Sequence, residues 1–133
     1  MLFRIIMKIL AFFILLISTN SFADGYKTNF DIEKFKFAQK NGKIVIIHSW
    51  NKSCSTCAKQ KPILEKAKKE FENVIFMNFE QTKNKDIAKL LKIDYWTTIV
   101  IYKNNKEIVR EIGLYTEKDI YNLIRTGIQS QTK

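Results

Sequence analysis

The sequence predicts an α/β domain whose mixed sheet is flanked by helices, and three observations predict it. Segments with helical and strand-like periodicity alternate along most of the chain. The last strand signals form a hairpin, which adds antiparallel pairing to the parallel pairing that alternation implies. The most apolar strand, Lys43-Ile44-Val45-Ile46-Ile47-His48-Ser49-Trp50, is β-branched and continuous, as a central strand covered on both faces must be.

From residue 29 to residue 41, Ile32, Phe35 and Ala38 recur at helical spacing, with Asn29 or Asp31 as the cap and Gly42 beyond the end. The apolar strand follows, then a polar turn over Asn51-Lys52-Ser53. A helix is expected from Cys54 to Phe71, with Ile63, Leu64, Ala67 and Phe71 on its inner face. Pro62 lies inside that pattern and predicts a kink. Val74 to Phe79 reads as a second strand, Lys85 to Lys92 as a short helix, and Thr97 to Tyr102 as a third strand. Asn104-Asn105 turns this strand into Glu107 to Ile112, because asparagine tolerates positive φ. A final helix begins at Thr116, with Glu117 and Asp119 in its first turn and Ile120, Leu123 and Ile124 facing inward.

The first 23 residues have a different character. Arg4 and Lys8 precede an apolar run from Ile9 to Ile17, and Ser21-Phe22-Ala23 places small residues at the −3 and −1 positions of a cleavage site. That pattern predicts a signal peptide over 1–23, a mature domain over 24–133 and an exported, periplasmic protein. The alternative is an uncleaved segment that anchors the chain to the membrane. The net charge of +10 comes from scattered lysines rather than a basic stripe, so no nucleic-acid partner is read from it.

The two cysteines, Cys54 and Cys57, sit between the apolar strand and the helix it feeds. A disulfide across two intervening residues closes almost no loop, so it does little as a staple. At a helix start, however, the dipole and free backbone N–H groups favour an anion, which lowers a thiol pKa. Cys54 is therefore read as the nucleophile. Cys57, one turn further in, is read as the thiol that resolves a mixed disulfide. Lys52 and Lys59 add positive potential nearby. Structural zinc wants four ligands, and the chain offers two cysteines and one histidine, so no metal site is assigned. Two thiolates do suffice for a soft monovalent ion, which leaves a metal-binding or adaptor protein as the alternative function.

With these residues in place, residues 28 to 128 resemble the thioredoxin family. The strand ending in Trp50, the Cys54-Ser55-Thr56-Cys57 motif, Pro62-Ile63-Leu64 and the Thr97–Tyr102 strand before the hairpin and Gly113 carry the likeness. It implies a thioredoxin fold and protein thiol–disulfide oxidoreductase activity, with the Cys54–Cys57 disulfide in place of any cofactor. It implies dithiol or disulfide proteins as substrates, a redox partner placed at the membrane by export, and a monomer. Four departures stand out. Ser53 replaces the tryptophan usual before the first cysteine, while Trp50 is kept and is expected to pack under the active-site turn. Ser55-Thr56 replaces Gly-Pro. His48 stands where the family often has a buried acid, so it is either a proton shuttle for Cys57 or a neutral core histidine. Thr97 occupies the cis-proline position, so the Trp96–Thr97 bond is expected to be trans. Trp96 and Thr97 are the substrate-binding candidates, with core packing as the alternative for Trp96.

Overall fold

The computed structural model describes residues 26–130, so the expectations for the 1–23 segment lie outside the described residues. Helix α1 spans Ile32–Lys40. Asp31 is its cap, and its carboxylate accepts the Lys34 backbone N–H at 2.9 Å. Strand β1, Ile44–Trp50, leads through the turn into helix α2, Ser55–Glu70, which is continuous across Pro62. Strand β2 is Val74–Glu80 and the short helix α3 is Lys85–Leu90. Strands β3 (Thr98–Lys103) and β4 (Lys106–Ile112) form the hairpin, and helix α4, Glu117–Gln129, closes the domain. Thr116 caps α4 by accepting the Asp119 N–H.

The sheet order is β2-β1-β3-β4, so the apolar strand β1 is internal, as its composition requires. The β1–β2 pair is parallel and is joined by the α2 crossover; β1–β3 and β3–β4 are antiparallel. Asn104 and Asn105 have φ of 51° and 60°, the left-handed pair that a two-residue hairpin turn needs.

Alternation along β1 divides the core. Ile46 faces α2 and α4 and packs with Leu64, Ala67, Ile99, Ile101 and Ile124. Val45 and Ile47 face the other layer, with Ala38, Met77, Phe79 and Val100. His48 shares the parity of Ile46 and so lies on the α2 side of the sheet. Beyond the edge strand, residues 28–30 bond to β2. The Asn29 and Phe30 amides both donate to Asn78 O, and Thr28 Oγ1 accepts the Glu80 N–H at 2.9 Å. This docking brings Tyr26 over the end of β1.

At Gly127, helix α4 passes close to the sheet. A Cβ there would lie 2.6 Å from Ile101 Cδ1. Glycine inside a helix costs about 1 kcal/mol relative to alanine, so alanine would be favoured by propensity alone. The overlap reverses that sign: Gly127→Ala is expected to lose about 1–3 kcal/mol. Urea unfolding measures it, and a midpoint equal to the parent's would contradict the close approach.

Candidate active site

Strand β1 ends at Trp50, and Asn51 accepts the Ser53 N–H at 2.8 Å to form the turn. Cys54 is the cap of α2, and its Sγ accepts the Cys57 backbone N–H at 3.0 Å. The two cysteines form a disulfide. Cys54 is half-buried while Cys57 is buried, so Cys54 is the sulfur within reach of an incoming group. No acidic residue occupies the first turn of α2. A thiolate at Cys54 would thus meet the helix dipole and an amide donor, with no carboxylate in that first turn of the helix. A cavity of about 320 Å³ opens beside the pair, with Tyr26 and Trp50 in its wall.

Trp50 is nearly buried, and its indole N–H donates to Asn78 Oδ1 at 2.8 Å. The ring stacks at a tilt on Tyr26 with centroids 5.2 Å apart. It lines the site from below while Lys52 lies at the cavity and Lys59 sits over the Tyr115 ring, 5.1 Å from its centroid.

His48 is 1% exposed, on the face of the sheet that α2 covers. Its Nε2 is 2.9 Å from Gln60 Oε1 and its Nδ1 is 3.1 Å from the Tyr26 hydroxyl. The Gln60 amide nitrogen donates to Thr97 O at 3.1 Å and to Leu114 O at 2.7 Å. Those two carbonyls can only accept, so they fix the orientation of the amide, and Gln60 Oε1 must accept from His48. The proton therefore sits on Nε2, and Nδ1 accepts the Tyr26 O–H. Burial lowers the His48 pKa to about 4, against a smaller raising effect of the Gln60 bond. The ring is neutral at neutral pH. In this arrangement its two hydrogen bonds go to Tyr26 and Gln60 rather than to a sulfur.

The loop before β3 is pinned at Thr97. Its N–H donates to Ser49 O at 2.8 Å, and its carbonyl accepts from Gly113 N–H as well as from Gln60. Thr97 has φ of 67°, a left-handed conformation that costs a β-branched residue about 1–3 kcal/mol and persists because both of its peptide groups are held. No cis peptide bond occurs among the described residues, so Trp96–Thr97 is trans, as expected. Trp96 is 46% exposed, which removes it from the core and leaves its ring on the surface. Pro62 lies inside α2, outside the cavity wall. Among the described residues, no group of three or more His, Cys, Asp or Glu could hold a metal ion.

Residues 26–126 match the family model described as Thioredoxin. The chain belongs to the thioredoxin family. Its disulfide is the redox pair of a thioredoxin-type thiol–disulfide oxidoreductase. It is 32% identical over 92 residues to a thioredoxin of Mycoplasma genitalium, covering 69% of this chain and 87% of that one. A thioredoxin of Mycoplasma pneumoniae is 33% identical over 88 residues, covering 66% and 84% respectively. Among solved structures, Fasciola hepatica thioredoxin superposes with a TM-score of 0.63 at 23% identity, covering 71% of this chain and 90% of that one, a likeness of fold.

Within this thioredoxin-family site, sequence reasoning missed Gln60 and Tyr26. Gln60 was open to discovery: Cys57, Gln60, Leu64 and Ala67 share one helical face, so a polar side chain there had to be buried and satisfied. Tyr26 left no local signal. It reaches the site through the edge docking of residues 28–30, a long-range contact with no periodicity.

Proposed function

We propose that the protein exchanges disulfides with exported protein substrates, Cys54 attacking and Cys57 resolving. The observation that carries this reading is the asymmetry of the pair, a half-buried Cys54 that accepts the Cys57 amide and a buried Cys57 behind it. In the reducing direction the Cys54 thiolate attacks one sulfur of a substrate disulfide. That S–S bond breaks, and the second substrate sulfur leaves as a thiolate and takes a proton. Cys57 then attacks Cys54 Sγ and releases the first substrate sulfur, so the substrate gains two thiols while the pair becomes the disulfide. Oxidation of a substrate dithiol runs through the same steps in reverse. Export is supported by the pattern of residues 1–23, and it calls for a membrane-borne partner that resets the pair. The protein works as a monomer, with Trp96 and Thr97 meeting the substrate.

Thiol trapping in the native compartment tests this. Cys57→Ser is expected to accumulate mixed disulfides with exported proteins, and the Cys54→Ser, Cys57→Ser double variant is expected to show none. Absence of adducts from the single variant, together with stoichiometric metal in the purified protein, would instead establish the carrier reading.

A further inference from the structure

The cavity beside the disulfide has a strongly one-sided charge. Among the described residues that line it are Lys27, Lys52, Lys61 and Lys83 and one carboxylate, that of Glu80. That carboxylate is already engaged, with Glu80 Oε2 3.2 Å from Lys83 Nζ and its side chain only 10% exposed. Two of the ammonium groups are held in place: Lys83 by this ion pair, and Lys61 over the face of Tyr26, 5.0 Å from the ring centroid. Lys52 belongs to the turn that presents Cys54, is exposed, and makes no ion pair with another described residue. Trp50, Tyr26 and both cysteines line the same cavity.

Like charges gathered round one concavity add their potentials wherever they lie within the screening length, about 10 Å at 0.1 M salt. A low-dielectric wall focuses that potential into the opening. We infer that this cavity is a subsite for an acidic segment of the substrate protein, one with Asp or Glu within a few residues of the cysteine that pairs with Cys54. The carboxylates meet Lys52 and Lys61 at the mouth while apolar parts of the segment lie on Trp50. A segment rich in Lys or Arg is repelled at the same place. The inference rests on the exchange reading above and specifies which substrates that chemistry selects.

Three peptides with the same disulfide loop and with acidic, neutral or basic flanks provide the test. Each is offered to the reduced full-length protein, and the second-order exchange rate is followed at about 20 mM and about 300 mM salt. The acidic peptide is expected to react at least about tenfold faster than the neutral one at low salt, and the basic one slower. High salt should collapse the ratio, and so should the Lys52→Gln, Lys61→Gln double variant. Equal rates for all three peptides would overturn the subsite while exchange itself stands. No exchange with any peptide would remove the exchange reading and this inference with it.

Discussion

Through His48 alone, the fold is expected to be about 3 kcal/mol less stable at pH 4 and below than at neutral pH. The imidazole is buried, with its Nε2–H given to Gln60 and its Nδ1 occupied by the Tyr26 hydroxyl. Burial holds its pKa at about 4, against 6.5 for an unperturbed histidine. Between those values the unfolded chain carries the proton and the folded chain does not. Unfolding therefore takes up a proton, and stability falls as the pH drops. The contribution is nearly complete above pH 6.5, is lost as the pH falls through 4, and levels off below that. The depression converts at about 1.4 kcal/mol for each tenfold change in proton affinity.

The chain has a single histidine, which makes this measurable. Urea unfolding of the parent and of His48→Gln at about pH 4 and about pH 7 gives the two differences in stability. The parent should lose about 3 kcal/mol more than the variant over that range. Equal losses would mean that the imidazole is not the neutral, buried group described here. The same pair of proteins bears on proton relay to Cys57. A relay requires the ring to release Tyr26 or Gln60, and coincident thiolate titrations of the two reduced proteins would end that reading.

The elements of this fold were legible because each had a local cause. Asp31 and Thr116 cap helices through their own side chains, the Asn104-Asn105 turn supplies positive φ, and the β-branched run of β1 has the composition of an internal strand. The position of Cys54 was legible for the same reason, since the strand before it and the helix it caps each have a local cause. What was not legible depends on atoms distant in sequence. Nothing beside His48 says that its partners are 22 residues before it and 12 after it. Nor does Thr97 announce a left-handed backbone, which glycine or asparagine would have signalled. That conformation is imposed by Ser49, Gly113 and Gln60 together.

Gln60→Leu is expected to cost about 2–5 kcal/mol, although leucine is close in size and better suited to an apolar surround. Gln60 is fully buried, and its one amide group satisfies three others. Removing it leaves the buried His48 Nε2–H and the half-buried Leu114 carbonyl without this partner, and a group left unsatisfied in the interior costs about 1–3 kcal/mol. Thr97 O loses less, because the Gly113 N–H still reaches it at 3.1 Å. Yet Thr97 is the residue whose backbone is strained, so weakening one of its restraints lets the loop relax away from φ of 67°. Two readouts separate the effects. Urea unfolding reports the loss of stability. On the proposal that the Trp96-Thr97 loop meets the substrate, the rate of exchange with a protein substrate, divided by the rate with a small dithiol, reports the loop. If Gln60 positions the loop, that ratio falls in Gln60→Leu under conditions where both proteins are fully folded. A ratio equal to the parent's, with the stability loss intact, would confine Gln60 to holding the core together.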